Sequence, residues 1–200
     1  MNAVYSGSLT REQFMFREMR IVAQLMREGL LHEEIMERVV SQNLFQYPTA
    51  HVIRSQVRAC LRRLDTVADD TFFIESIAHG PLHEAKQAVL VSMMRQNLLV
   101  SDLLVRVIGG KYRTLDMTFS RKDLNLFFQE LQQQNDQVAA WSDKTIERIK
   151  SVLSKCLIET GYIVNIRENK LYPVLVSEEM LQALRRNGLS VFNPAFNVFD

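Results

Sequence analysis

Apolar residues recur at intervals of three and four positions along most of the chain, the spacing that is typical of amphipathic α-helices. Thr10 and Gln13 form a capping-box pattern, which predicts a first helix that starts at Thr10 and ends near Gly29. A short helix is predicted over residues 31–41, and Thr49 is the predicted cap of the next helix. The pattern therefore predicts an all-α protein.

Capping residues, and a proline that follows a glycine, predict where later helices begin. These positions are Asp69 or Asp70, Pro81, Ser101, Ser120, Ser142 and Ser177. Glycines predict helix ends. We expect the helix from Ser101 to stop at Gly109 and Gly110, and the helix from Ser142 to stop at Gly161.

One segment has the pattern of β-strands. Residues 162–164 and 171–175 are apolar and flank a polar turn over residues 167–170, which predicts a small β-hairpin. Because the hairpin follows the helix from Ser142, it gives this part of the chain the layout of a winged helix. The alternative is a structural hairpin that covers the core.

The predicted fold is a globular helical bundle, in one compact domain with three parts. Residues 1–66 contain a long helix, a short helix, a turn and a basic helix, which is the order of a helix-turn-helix unit. The turn is longer than in the simplest units of this kind. Residues 67–118 supply central helices, and residues 119–200 supply the winged-helix-like unit with its small β-hairpin.

The helix that Thr49 caps carries a local excess of positive charge. Residues 49–63 contain no acidic side chain, and their basic residues are His51, Arg54, Arg58, Arg62 and Arg63. The helical wheel places His51, Ser55, Arg58 and Arg62 opposite the apolar stripe, with Arg54 at the flank. Such a helix suits a phosphate backbone or an acidic partner. The alternative is a solvated arginine face.

Positive and negative charges nearly balance over the whole chain, since 24 Lys and Arg residues face 23 Asp and Glu residues. Nucleic-acid binding therefore needs local patches. Further candidates lie in a short basic loop, in the helix from Ser142 and at the hairpin tip. These candidate DNA-binding residues are Lys111 and Arg113, then Lys144, Arg148, Lys150 and Lys155, and finally Arg167 and Lys170.

The sequence has no recognisable pattern of a catalytic or metal site. His79 and His83 are four positions apart, but a Gly-Pro pair between them argues against a shared helix face. Residues 109–111 lack the spacing of a phosphate-binding loop, and no nucleophile elbow occurs. We therefore expect that the protein is not an enzyme and holds neither a metal nor a cofactor.

Two other surfaces are candidates for contact with a partner. An acidic helix face either offsets neighbouring arginines or meets a partner, and it consists of Glu33, Glu34 and Glu37. The C-terminal tail either folds back on the core or docks on another subunit, and its aromatic residues are Phe192, Phe196 and Phe199.

The environment of the protein is expected to be the cytoplasm. Cys60 and Cys156 lie on apolar stripes and are expected to be core residues in a reducing compartment. The most hydrophobic stretch, residues 88–108, is interrupted by three charged side chains, so we do not expect a membrane span. Residues 1–13 have no apolar signal core.

Three stretches carry a resemblance to a known family. They are YSGSLTREQF at residues 5–14, GLLHEEIMERVVSQNLFQYPTAHVIR at 29–54 and VAAWSDKTIERIKSVLSKCLIETGYI at 138–163. In order, spacing and length the chain resembles the BrxA family, a small component of bacterial BREX phage-exclusion systems, which methylate host DNA and block replication of unmodified phage DNA. The resemblance implies an all-helical, monomeric, double-stranded DNA-binding protein with helix-turn-helix elements, similar also to the RNA-binding factor NusB.

Together these interpretations predict a non-catalytic DNA-binding component of a BREX system. The basic helix with the Lys111–Arg113 loop looks like a first positive surface, and the Lys144 helix with the predicted wing looks like a second. The alternatives are a protein–protein adaptor that meets the methyltransferase or the ATPase of the same system, and NusB-like RNA binding. The family has also been described as an inner-membrane protein, which conflicts with the charges in residues 88–108.

Overall fold

The computed structural model describes residues 5–199, and helices are their only regular elements. The all-α fold predicted from the sequence is therefore confirmed for these residues. Residues 1–4, the beginning of the segment that we expect to lack a signal core, lie outside the described part of the chain, as does residue 200.

One compact unit, which we call the five-helix unit, spans Phe14–Gln96. Its helices are α1 (Phe16–Arg27), α2 (His32–Ser41), α3 (Ala50–Asp65), α4 (Thr71–His79) and α5 (Leu82–Gln96). Helix α1 packs against each of the other four. Side chains such as Val22, Ile35, Val57 and Ile77 are fully buried between them, because each helix turns its apolar stripe inward.

A second unit, which we call the larger unit, combines Met1–Gln13 with Asn97–Asp200. Its α-helices are α6 (Leu98–Asp102), α7 (Gly109–Arg113), α8 (Arg121–Gln134), α9 (Asp136–Ala139), α10 (Asp143–Glu159) and α11 (Glu178–Arg186). A π-helix over Leu103–Ile108 joins α6 to α7, and 3₁₀ helices occupy Gly7–Thr10 and Ser190–Phe196. The buried Phe192 and Phe196 show that the C-terminal tail folds back onto its own unit.

Short polar side chains cap many of these helices, as the sequence predicts. Each cap oxygen accepts a hydrogen bond from a backbone N–H of the first turn, which that turn cannot satisfy internally. The caps that the structure confirms are Thr49, Asp70, Ser120, Ser142 and Ser177. Cys60 and Cys156 are both buried, as the sequence predicts for core residues, and are not joined in a disulfide.

Two predicted helix starts are wrong. Thr10 lies in a 3₁₀ helix, where its hydroxyl donates to the Gly7 carbonyl oxygen at 3.0 Å, and α1 begins instead after Met15, whose φ is 52°. Ser101 lies inside α6. The cap of α6 is Asn97, whose Oδ1 accepts from the Leu99 N–H at 3.0 Å.

The predicted hairpin and the winged helix built on it are also wrong for the described residues, which contain no strand. Between residues 162–164 and 171–175, the Tyr172 N–H donates a backbone hydrogen bond to the Tyr162 carbonyl oxygen at 2.8 Å. The neighbouring Leu171 N–H donates to Met117 at 3.0 Å, so no ladder develops. The loop does turn at Asn165, whose Oδ1 accepts from the Arg167 N–H at 2.9 Å.

The helical path continues through Gly109 and Gly110, where the sequence predicted a stop. Gly109 has an ordinary helical φ of −61°, so it does not serve as a left-handed cap. It allows Pro194 to pack closely, because a Cβ at position 109 would lie 2.7 Å from the Pro194 Cβ. A Cβ at Gly110 would meet no atom within 4 Å.

These two adjacent glycines give a matched test of the packing. We expect Gly109→Ala to destabilise the protein by about 1–3 kcal/mol through overpacking against Pro194. Gly110→Ala should stabilise it by about 0.5–1 kcal/mol, since alanine loses less entropy in a helix. Urea denaturation monitored by circular dichroism measures both changes, and a Gly109→Ala variant as stable as wild type would contradict this packing.

Candidate nucleic-acid interface

The outward face of α3 presents four of the five basic residues that the sequence predicted on this helix. The Thr49 cap, with its Oγ1 3.3 Å from the Val52 N–H, fixes the start of the helix, and the buried Ile53 and Val57 fix its rotation. The remaining polar residues of this face are exposed: His51, Arg54, Ser55, Arg58 and Arg62.

Two of these arginines have no bonded partner among the described residues. Arg54 and Arg58 make no hydrogen bond or ion pair with any residue between positions 5 and 199. By contrast, the exposed Arg27 and Arg38 of the same unit are paired, with nitrogen–oxygen distances of 2.6 Å to Glu75 and 2.8 Å to Glu28. The unpaired guanidinium groups on α3 keep their donors available for an incoming anion.

Arg63 does not belong to this face, so its prediction as a DNA-binding residue is corrected. Its side chain is only 1% exposed and turns into the five-helix unit. Nε donates to Gln96 Oε1 at 3.2 Å, and Nη1 donates to the Phe14 carbonyl oxygen at 3.2 Å. A charge count along α3 could not separate Arg63 from Arg62, although Arg63 adjoins the buried Leu64 and Cys60 on the helical wheel.

The prediction of Lys111 as a DNA-binding residue in a basic loop is also corrected, because Lys111 lies in a helix and is ion-paired. It lies in α7, is only 14% exposed, and its Nζ lies 2.7 Å from Asp116 Oδ2 and 2.8 Å from Asp123 Oδ1. Burial by itself lowers the pKa of Lys111, but hydrogen bonds to the two carboxylates outweigh it and raise the pKa above its ordinary value. The two carboxylates therefore already neutralise this cation.

Arg113 and the loop residues remain on the surface. Arg113 is exposed, with its guanidinium carbon 5.3 Å from the centre of the Phe199 ring. Arg167 and Lys170 are exposed in the loop that replaces the predicted wing. Lys170 lies over the Tyr172 ring, with Nζ 4.7 Å from its centre. Because residues 162–175 contain no strand, this loop is not the two-stranded wing that the sequence predicted.

Helix α10 provides a second exposed cationic face, in the larger unit. Lys144, Arg148, Ser151 and Lys155 recur at four-, three- and four-residue intervals and are all exposed. Lys144 and Lys155 have no hydrogen bond or ion pair within residues 5–199. Arg148 Nε makes a long contact of 3.4 Å with the Thr10 carbonyl oxygen.

Lys150, the other predicted residue of α10, lies off this face and already contacts side chains of the protein. Its side chain is 13% exposed, and Nζ lies 3.0 Å from Glu147 Oε1 and 2.9 Å from Asn125 Oδ1. The hydrogen bond from Lys150 lowers the pKa of Glu147 below its usual range, with Arg121 also contributing. The prediction of Lys150 as a free DNA-binding cation is therefore corrected.

A groove between α2 and α3, which sequence reasoning missed, lies beside the α3 arginines and has a volume of about 610 Å³. The sequence feature that could have indicated this groove is the apolar pair Met36 and Val40, which is half-exposed and lies next to the acidic face of α2. Glu33 and Glu37 of that face line the groove. Glu34 instead caps its own helix, accepting from the Leu31 N–H at 2.7 Å.

The part of the chain that the structure describes offers little support for a metal site or a membrane span. Residues 5–199 contain no group of three or more His, Cys, Asp and Glu side chains placed to hold a metal ion. His79 pairs with Glu75, its Nδ1 3.2 Å from Oε1. No single helix among these residues is both long and apolar enough to cross a membrane, although the bent pair Leu82–Gln96 and Leu98–Arg113 has the combined length and composition.

These observations define a class: an all-helical protein of two compact units, each with an exposed cationic helix. The fold matches the crystal structure of an uncharacterized protein from Magnetospirillum magneticum with a TM-score of 0.79, at 21% identity over 96% of this chain and 97% of that one. The BrxA family model matches residues 3–188, and the chain belongs to the BrxA family.

Relatives from several bacteria carry the name BREX protein BrxA. The Bacillus cereus protein is 28% identical over 190 residues, which cover 94% of each chain. The Escherichia coli protein is 25% identical over 182 residues, covering 91% of this chain and 84% of the relative. This kinship supports a role as a component of a BREX phage-defence system.

The burial of Arg63 predicts a structural role that can be separated from binding. We expect Arg63→Ala to destabilise the protein by about 2–4 kcal/mol, because it leaves Gln96 and the Phe14 carbonyl without partners in the interior. Arg58→Ala, on the exposed side of the same helix, should change stability by less than about 0.5 kcal/mol. Urea unfolding compares the two variants, and equal effects would refute the assignment.

Proposed function

We propose that this protein is a non-catalytic, double-stranded DNA-binding component of a BREX phage-defence system. The observation that carries the proposal is the pair of unpaired guanidinium groups, Arg54 and Arg58, on a rigid and hydrophobically anchored helix. His51 and Arg62 extend this face to both ends of α3. From His51 to Arg62 the face is about 16 Å long at 1.5 Å per residue, enough to follow several phosphates.

The face on α10 supports the same function in the larger unit. Lys144, Arg148 and Lys155 project from one side of a helix that is firmly capped by Ser142. Helices that carry cations at such intervals place them along a phosphate backbone, whereas base readout needs side chains inside a groove. Arg58 and Arg62 are the candidates for base contacts.

The overall charge sets the expected strength of binding. A net charge of +1 provides no long-range attraction, and Glu33 and Glu37 lie close to the α3 arginines. We therefore expect weak binding that depends strongly on salt and has little sequence preference.

A salt titration with paired variants tests the proposal. Arg54→Gln/Arg58→Gln should flatten the slope of log affinity against log salt by about 1.8, since each lost phosphate contact contributes about 0.9. The matched control, Arg27→Gln/Arg38→Gln, removes two exposed arginines that are already ion-paired, so its slope should stay that of wild type. Fluorescence anisotropy with a short labelled duplex measures both slopes.

Two results of this titration would contradict the proposal. One is an equal change of slope in both variants, since unpaired arginines would then have no special role. The other is tighter binding to a single-stranded RNA of the same length, run in parallel, which would make RNA the ligand. Circular dichroism spectra of each variant establish that the fold is retained.

A further inference from the structure

The groove between α2 and α3 has an apolar floor and a defined length. Met36 and Val40 of α2 contribute half-buried side chains, and Leu61 of α3 contributes a buried one. Its lining residues on α2 run from His32 to Ser41, so the groove is about 14 Å long at 1.5 Å per residue. Its volume of about 610 Å³ lies within the range of ordinary binding pockets.

The two walls of the groove carry opposite charges. Glu33 and Glu37 line the α2 wall, and Arg54 and Arg58 line the α3 wall. Within each pair the residues are four positions apart, so each wall presents a row of charge parallel to its helix axis. Between positions 5 and 199 none of the four side chains makes a hydrogen bond or ion pair, including across the groove.

This charge arrangement restricts what can occupy the groove. A nucleic acid seated inside the groove, as distinct from one on the outward face of α3, would place phosphates against the Glu33 and Glu37 carboxylates and over an apolar floor, which is unfavourable on both counts. A helix with an apolar stripe between one basic and one acidic row would instead complement the floor and both walls. The gap between two neighbouring helices is also the shape into which a third helix packs.

We propose that this groove docks an amphipathic α-helix of a partner protein. The apolar stripe of that helix, at i, i+4 and i+7 spacing, rests on Met36, Val40 and Leu61. Its Lys or Arg row faces Glu33 and Glu37, and its Asp or Glu row faces Arg54 and Arg58. Because Arg54 and Arg58 also belong to the proposed DNA face, a docked helix competes with DNA for them.

A designed peptide probes this groove directly. The probe is a lactam-stapled helix of about 14 residues with leucines on one stripe, lysines on one flank and glutamates on the other. A control peptide keeps the leucines but has glutamates on both flanks. Fluorescence anisotropy at low salt should show micromolar binding of the bipolar peptide to the full chain, and weaker binding of the acidic peptide, which the α2 wall repels.

Charge reversal of one wall supplies the decisive comparison. Glu33→Lys/Glu37→Lys should weaken binding of the bipolar peptide about tenfold or more and should strengthen binding of the acidic peptide, because both walls are then basic. The control Glu178→Lys/Glu179→Lys makes the same charge change on two exposed residues of α11 and should bind both peptides as wild type does.

Two outcomes would overturn the groove proposal: no binding of the bipolar peptide to wild type, or equal binding of that peptide to wild type and Glu33→Lys/Glu37→Lys. Measuring the affinity of the Glu33→Lys/Glu37→Lys variant for duplex DNA distinguishes the groove proposal from the DNA-binding proposal. The added lysines leave DNA binding unchanged or tighter while peptide binding falls. A loss of peptide binding alone therefore leaves the DNA function standing.

Discussion

Pairing with carboxylates decides which cations of this protein can act on a ligand. The chain has almost as many carboxylates as cations, and the fold brings many of them together. Lys111 lies between Asp116 and Asp123, Lys150 lies against Glu147, and Arg27 and Arg38 have their own glutamates. A paired cation offers a polyanion little, because the new contact must first replace an existing one.

Two long, well-capped helices each carry unpaired cations on one exposed face. Arg54 and Arg58 project from α3 in the five-helix unit, and Lys144 and Lys155 project from α10 in the larger unit. Both helices are fixed by a capping side chain and a buried apolar stripe, so the cations are held on rigid supports. The chain that carries this arrangement belongs to the BrxA family, and its relatives carry the name BREX protein BrxA.

Sequence reasoning was most reliable where local chemistry determines structure. The Thr49 and Ser142 caps and the apolar spacing of α3 and α10 were predicted, because a cap and a stripe both depend on residues within a few positions. Predictions were wrong where distant residues decide. Gly109 leaves room for Pro194 inside a continuing helical path and does not end a helix, and Leu171 bonds to Met117 instead of completing a hairpin.

The same distinction between local and distant contacts explains which features of the candidate site could be predicted from the sequence. The exposure of Arg58 followed from the helical wheel, whereas the neutralisation of Lys111 by Asp123 depends on a contact between separate helices. The groove beside α3 depends on how α2 packs against it, so its charged walls appear only in the fold. Local pattern thus predicts which way a cation points, and only tertiary structure shows whether it is paired.

Lysine acetylation footprinting by mass spectrometry, with and without duplex DNA, tests this account most directly. The account predicts that Lys144 and Lys155 react quickly in the free protein and are protected by DNA. Lys111 and Lys150 should react slowly under both conditions, because their ammonium groups are paired and mostly buried. Fast reaction and DNA protection of Lys111 and Lys150, or no protection of Lys144 and Lys155, would contradict it.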